Sequence, residues 1–119
     1  MRTRLVFTLI IAALASPAAA QDTGQDASVG ALTGTLKKIR DTGTITLGYR
    51  ESSLPFSYLN HRAQPIGYSM DLCREVVDEV STELDGMDVK IALAPLTSAD
   101  RFDKVKSGAA DLECGSTTS

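Results

Sequence analysis

Three short strand patterns, separated by helix patterns, limit the folds that are open to this chain. Apolar or β-branched residues alternate over 44–49, over 88–96 and again over 110–114, as they do in strands with one buried face. Strands that alternate with helices form βαβ units with a largely parallel sheet. Right-handed crossovers would bring the carboxyl ends of the three strands to one common edge. The sequence therefore predicts an α/β fold with a parallel-type sheet and flanking helices.

The predicted helices precede and follow the first strand. A short amphipathic helix covers residues 35–40 and stops near Gly43, with basic residues in its last turn. Over residues 69–84, apolar side chains recur at spacings of three and four, which is the helical period. Ser69 is expected to be the N-cap of this longer helix.

A third helix is predicted between the second and third strands. Either Thr97 or Ser98 can cap it, and Gly108 is expected to end it. Its apolar residues, Phe102 and Val105, are expected to face inward. Its N-terminus would then lie at the same edge of the sheet as the ends of the strands.

The first 20 residues have the composition of a cleaved secretory signal peptide. Arg2 and Arg4 precede an apolar run from Leu5 to Leu14, and three alanines lead up to the cleavage site after Ala20. This run is shorter than the roughly 20 apolar residues of a transmembrane helix. We therefore expect an exported protein. The expected division is a signal peptide, a flexible leader and one folded region, over residues 1–20, 21–34 and 35–119.

The net charge argues against a nucleic acid or an anionic membrane surface as the partner. Cleavage after Ala20 would leave ten basic and 15 acidic residues, a net charge of −5. A chain of this charge is repelled by phosphate groups as a whole. A locally basic site for a small anion remains compatible with it.

The two cysteines, Cys73 and Cys114, would meet an oxidising compartment after export. The sequence leaves open a disulfide between them or two separate buried thiols, because spacing along the chain does not fix the distance between Cα atoms. With the single histidine, His61, they show no zinc-binding spacing. Neither a metal nor another cofactor is expected.

Cationic and hydroxyl side chains follow each predicted strand. Arg50 follows the first, Ser98 and Arg101 follow the second, and a Gly-Ser-Thr loop with Ser116 and Thr118 follows the third. Guanidinium groups suit two-point recognition of a carboxylate. The pattern predicts a site for a small anion, without a nucleophile that has a base beside it. Taken singly, each residue is also compatible with a solvated surface or a structural ion pair.

Four stretches of the chain carry a family resemblance: "TLKKIRDTGTITLGYRESSLPFSY", "PIGYSMDLCREVVDEV", "LTSADR" and "DLECGSTTS". They resemble the N-terminal part of the glutamate/aspartate-binding periplasmic proteins of bacterial ABC importers, within the family 3 extracellular solute-binding proteins. The resemblance implies a type II periplasmic-binding-protein-like fold, with most of the first lobe in residues 35–119. Relatives continue with an arginine, a hinge and a second lobe, so the resemblance also implies an N-terminal fragment.

The resemblance implies a role for each candidate residue. Arg50, Ser98 and Arg101 match positions at the side-chain carboxylate end of the ligand, and Ser116 and Thr118 match its α-carboxylate and α-amino end. Two guanidiniums in a closed cleft fit L-glutamate or L-aspartate better than glutamine, because an unpaired buried charge is costly. The implied partners are that amino acid and the ABC permease subunits at the inner membrane, and the implied state is a monomer in the periplasm.

Two other functions stay open beside non-catalytic capture of an acidic amino acid. Some proteins that are similar in fold are periplasmic dehydratases of prephenate-like acids, which need an acid or base in the cleft. Others are sensor domains that report amino acids to a membrane receptor. The lack of a candidate base favours a binding protein over an enzyme.

Overall fold

The computed structural model of the chain describes residues 31–117. The predicted signal peptide lies outside these residues, and the predicted leader overlaps them only at 31–34, where Leu32 packs against the core. No helix within the described part is long and apolar enough to cross a membrane. In chain order the elements are α1 (Gly34–Thr42), β1 (Thr44–Tyr49), β2 (Ser52–Ser53), β3 (Ser57–Leu59), β4 (Pro65–Ile66), α2 (Tyr68–Glu83), β5 (Lys90–Pro95), α3 (Arg101–Ser107) and β6 (Leu112–Cys114).

The larger sheet is parallel and has the strand order β5-β1-β6. Tyr49, the last residue of β1, is in register with Pro95 on one side and with Cys114 on the other. The carboxyl ends of the three strands are therefore level, which confirms the predicted common edge. Because β5 and β6 flank β1 on opposite sides, right-handed crossovers place α2 and α3 on opposite faces of the sheet.

A second, smaller sheet follows β1 and was only partly predicted. It is antiparallel, in the order β2-β3-β4, with Ser52 opposite Tyr58 and Leu59 opposite Pro65. The turn between β3 and β4 is held by Asn60, whose side-chain oxygen accepts hydrogen bonds from backbone N–H groups two and four residues later. In the sequence, Asn60, Pro65 and Gly67 indicate this turn and a short extended return. The strand β2 was missed because two serines carry no alternation of apolar and polar residues.

The core lies between β1 and the helices α1 and α2. Its buried members are Ile39, Ile45, Leu47, Met70, Cys73, Val77, Leu84 and Cys114. α2 buries three of them at the spacing of three and four residues that marks one helix face. Leu72 and Val76, which belong to the same apolar pattern of the sequence, are 50% and 42% exposed. They belong to the neighbouring stripe of the helix, which no other described element covers completely.

The start of α2 corrects the prediction that Ser69 is its N-cap. The helix begins at Tyr68, and its cap position is Gly67. The N–H groups of Tyr68 and Ser69 donate to the carbonyl oxygens of Pro55 and Phe56, at 3.1 and 2.9 Å. The hairpin backbone thus satisfies donors that a side chain would otherwise cap. The Ser69 hydroxyl instead donates to the Gly115 carbonyl oxygen at 2.6 Å.

One further prediction about burial is wrong, and β5 is less buried than its alternation indicates. Phe102 and Val105 of α3 are 63% and 37% exposed, so they do not face inward. On β5, Ile91 and Leu93 are 44% and 48% exposed although they are in register with buried residues of β1. In both cases the spacing is that of core residues, three apart on the helix and two apart on the strand, but no described element covers the side chains enough to bury them.

The Cys73–Cys114 disulfide joins α2 to β6. The two Cα atoms are 6.1 Å apart, within the range that a disulfide spans. Both side chains are buried, with exposures of 8% and 1%. Of the two arrangements that the sequence left open, the structure has the bridge.

An ion pair ties α1 to the sheet. Lys38 of α1 donates to the Asp111 carboxylate and to the Gly108 carbonyl oxygen, both at 2.8 Å. The other oxygen of Asp111 accepts from the Thr46 backbone N–H at 2.8 Å, and its side chain is 2% exposed. The buried carboxylate links α1 and β1 to the segment before β6. Separation of α1 would leave its charge unpaired, and separation of β1 would leave one oxygen without its donor.

Candidate functional site

Arg50 and Ser98 meet at the common edge of the parallel sheet. Arg50 follows β1 directly, Ser98 follows β5, and Nη2 of Arg50 donates to Oγ of Ser98 at 2.8 Å. An open depression of about 320 Å³ lies beside this contact. We call it the edge depression; its polar lining is Arg50, Glu51, Ser52, Thr97, Ser98 and Lys104. It combines two cations and several hydroxyl groups with one carboxylate, Glu51, and the excess of positive charge suits a small anion.

The backbone of Arg50 is fixed by a buried serine. Ser57 is fully buried, and its hydroxyl accepts from the Arg50 N–H at 2.8 Å and donates to the Arg50 carbonyl oxygen at 3.2 Å. Both polar groups of the Arg50 backbone are therefore satisfied by one side chain. The guanidinium then starts from a defined position at the edge of the sheet. No spacing in the sequence pointed to Ser57.

The turn that carries Ser98 is held by Asp100 and Lys104. The Thr97 N–H donates to one oxygen of Asp100 at 2.7 Å, and the Asp100 N–H donates back to the Thr97 hydroxyl at 3.2 Å. The ammonium of Lys104 contacts the second oxygen of Asp100 at 3.1 Å and donates to the Pro95 carbonyl oxygen at 2.9 Å. The Thr97 N–H, followed by Lys104, lowers the pKa of the Asp100 carboxyl below its ordinary value.

This turn also corrects the predicted start of the third helix. α3 begins at Arg101, with Asp100 at the cap position, and not at Thr97 or Ser98. Ser98 therefore contributes its hydroxyl to the edge depression without being part of a helix. The prediction that Gly108 ends the helix is confirmed, since Gly108 follows the last turn in the left-handed conformation.

Arg101 does not line the edge depression. Its guanidinium carbon lies 4.7 Å from the centroid of the neighbouring Phe102 ring. Its Nε is buried and has no hydrogen-bond partner among residues 31–117. The structure thus brings Arg50 and Ser98 together and leaves Arg101 beside them without a polar partner at this nitrogen.

The loop after β6 reaches the same edge through Gly115. An added Cβ at Gly115 would meet the carboxylate of Glu113 and would lie 3.0 Å from Cγ of Arg50. The absence of a side chain lets this loop approach the Arg50 stem closely. Ser116 follows and is exposed at this edge. Thr118 lies outside the described residues.

Lys104 is the cation of the edge depression that the sequence did not single out. It lies four positions after Asp100, a spacing at which oppositely charged side chains pair in helices. That spacing could have indicated the ion pair, but not that it borders the depression. Across residues 31–117, no three His, Cys, Asp or Glu side chains converge as metal ligands would.

Comparisons with known proteins agree with this architecture. The family model described as bacterial extracellular solute-binding proteins, family 3, matches residues 45–119. The chain belongs to this family. Its predicted type II periplasmic-binding-protein fold is confirmed by solved structures. They include an ancestral cationic amino acid solute-binding protein, with a TM-score of 0.62 and 24% identity over 72% of this chain and 34% of that one.

Other solved structures with this fold bear different names. An ancestral cyclohexadienyl dehydratase has a TM-score of 0.62 at 22% identity, and covers 74% of this chain and 34% of that one. The arginine-bound form of domain 1 from TmArgBP has a TM-score of 0.60 at 15% identity, over 71% of this chain and 60% of that one. At these identities the likeness shows the fold alone.

Curated family members are more similar in sequence. The L-glutamate/L-aspartate-binding protein of Pseudomonas aeruginosa is 48% identical over 115 residues, which are 96% of this chain and 35% of that protein. The glutamate/aspartate import solute-binding protein of Escherichia coli K12 is 39% identical over 118 residues, 99% of this chain and 38% of that protein. The family 3 chain described here thus spans little more than a third of the length of these relatives.

Proposed function

We propose that this family 3 protein captures an acidic amino acid, L-glutamate or L-aspartate, and delivers it to an ABC import permease at the inner membrane. The observation that carries the proposal is the Arg50–Ser98 contact at the level ends of parallel strands. It is the one hydrogen bond that the Arg50 guanidinium makes to a partner within residues 31–117. Because a guanidinium has five N–H donors, it retains donors for a carboxylate of the ligand.

The names of the relatives support the choice of ligand. The proteins from Pseudomonas aeruginosa and Escherichia coli are named for glutamate and aspartate, and they match this chain over nearly all of its length. Their names describe binding and import, and we propose that this protein likewise is not an enzyme. The cyclohexadienyl dehydratase, by its name, is an enzyme with the same fold. Glu51 is the carboxylate in the lining of the edge depression, but the relatives that are more similar in sequence are named for binding and import.

The remaining candidate residues complete the proposed site. Arg101, with an unpartnered Nε, is proposed to turn toward the distal carboxylate beside Arg50 and Ser98. Ser116 and Thr118 are proposed to serve the α-carboxylate and α-amino end, since the loop that carries them passes the Arg50 stem at Gly115. The proposed protein is monomeric and periplasmic, and is exported by a signal peptide over residues 1–20.

Calorimetric titration of the protein, at the length at which its host produces it, tests this proposal. L-Glutamate or L-aspartate should bind more tightly than L-glutamine. Replacement of Arg50 by alanine should weaken glutamate binding about 10- to 100-fold, the range for loss of a hydrogen bond to a charged group, and weaken glutamine binding less. The control is Arg40→Ala, because Arg40 is exposed on α1. A folded protein that binds neither acidic amino acid would contradict the proposal.

A further inference from the structure

Lys104 lies in the edge depression although it belongs to α3. It borders the same space as Arg50 and Ser98, whereas Arg101, at the start of the same helix, does not. The depression therefore presents two cations, one from the loop after β1 and one from α3. Only the first of them was expected from the sequence.

The contacts of Lys104 hold its ammonium in one place. Nζ donates to the Pro95 carbonyl oxygen at 2.9 Å and contacts the Asp100 carboxylate at 3.1 Å. An ammonium has three N–H donors, so these two partners leave one. The Lys104 side chain is 36% exposed. A ligand in the depression can therefore approach the Lys104 side chain, whose ammonium is positioned before any ligand arrives.

We infer that Lys104 is a specificity residue of the ligand site, and that its third N–H donates to the side-chain carboxylate of the bound amino acid, beside Arg50. This inference rests on the proposed function. A hydrogen bond between an ammonium and a carboxylate is stronger than one between an ammonium and a neutral amide oxygen. Lys104 should therefore favour L-glutamate over L-glutamine, which has the same shape without the charge.

The alternative is that Lys104 only holds the turn that carries Ser98. Both roles depend on the same two contacts, so loss of Lys104 alone does not separate them. Asp100 does separate them. Asp100→Asn removes the charge that pairs with Lys104 and keeps an oxygen for the Thr97 N–H, while the ammonium itself remains.

The experiment titrates L-glutamate and L-glutamine into the wild type, Lys104→Met, Asp100→Asn and Lys106→Met. The ratio of the two dissociation constants is the measured quantity. Lys104→Met should weaken glutamate binding about tenfold or more, the range for one hydrogen bond to a charged group, and weaken glutamine binding less, so the preference for glutamate should fall. Asp100→Asn should retain the wild-type preference or increase it. Lys106→Met, which removes an equal charge from an exposed position on the same helix, should leave the ratio unchanged.

Three results would overturn the inference. One is a glutamate preference of Lys104→Met that equals that of the wild type. Another is that Lys104→Met and Asp100→Asn each lose the same affinity for glutamate as for glutamine, which would assign Lys104 to the turn alone. A wild type that binds neither ligand would overturn the proposed function itself and this inference with it. Thermal unfolding of each variant shows whether it is folded. If Lys104→Met is not, Lys104→Gln provides the same comparison, and Lys104→Arg should restore the preference.

Discussion

Single residues at the edge of the sheet do more than one structural task. Ser57 satisfies both backbone groups of Arg50, and Asp100 accepts from Thr97 while pairing with Lys104. Such shared partners place the side chains of the edge depression without help from the ligand. A site arranged in this way loses less conformational freedom when a ligand binds.

Gly67 is the glycine whose replacement should be most damaging among the described residues. Its φ of 128° and ψ of 173° lie in a region that only glycine adopts readily, and an added Cβ would collide with the Phe56 carbonyl group. We expect Gly67→Ala to lower the free energy of unfolding by more than about 2 kcal/mol, measured by urea denaturation.

The control for this substitution is Gly86→Ala. Gly86 also has a positive φ, 75°, but an added Cβ there would meet no atom within 4 Å. Gly86→Ala should lower the free energy of unfolding by about 1 kcal/mol, because only the left-handed backbone conformation opposes it. Equal losses at the two positions would show that the contact with Phe56 is not important for stability.

The arginines show what residue-level prediction can and cannot achieve. Arg50 and Ser98 were predicted to meet because each follows a strand of a parallel sheet, and the level strand ends bring them within 2.8 Å. Arg101 was assigned to the same group by the same rule. The turn between β5 and α3 orients it differently, and Lys104 lines the depression instead. That orientation depends on hydrogen bonds of the turn that no local pattern displays.

At the scale of elements, the disulfide is the strongest link between α2 and β6. The bridge closes a segment with a sequence separation of 41 residues. On the chain-entropy model, a loop of this size stabilises the folded state by about 4 kcal/mol, because it restricts the unfolded chain. Reduction should therefore shift the urea unfolding midpoint to a lower concentration.

The control is the double variant Cys73→Ser and Cys114→Ser. Reductant should not change its urea unfolding midpoint, because this variant has no disulfide to reduce. Because both cysteines are buried, complete reduction has to be verified by counting free thiols in the denatured chain. An unchanged midpoint in the fully reduced wild type would contradict this role for the bridge.

The elements also differ in how well local sequence predicts them. The first strand was predicted over 44–49, and the structure has it at these residues, since its alternation is bounded by glycine and arginine. α3 was placed two or three residues early because Ser98 and Thr97 are both good caps. They form a turn with Asp100 instead. Which of several neighbouring residues caps a helix depends on contacts with other elements.

At the scale of the whole molecule, the sheet is covered unequally. Ile45 and Leu47 of β1 are buried, whereas Ile91 and Leu93 of β5 are about half exposed on the same side. Within residues 31–117, β5 is also an edge strand, paired with β1 alone. Exposed apolar side chains on an edge strand form a surface that attracts other apolar groups.

We expect the 119-residue chain to bind a hydrophobic fluorescent dye through this surface. The double substitution Ile91→Thr and Leu93→Thr should reduce the dye signal, and threonine keeps the preference for a strand. The control is Leu54→Thr, because Leu54 is exposed but lies in the loop between β2 and β3. If the dye signal of the double variant equals that of the wild type, this surface is not where the dye binds.

The family resemblance came from four stretches of the sequence. The sequence by itself also determined the order of the three helices and the three parallel strands, and the stops at Gly43 and Gly108. These depend on backbone preferences and apolar periods that act over a few residues. Only the tertiary structure decided that Lys104 rather than Arg101 borders the depression, and that Ile91 is exposed while Ile45 is buried. The physical reason is that burial and side-chain contacts depend on which element packs nearby, and residues with the same local pattern can have different neighbours.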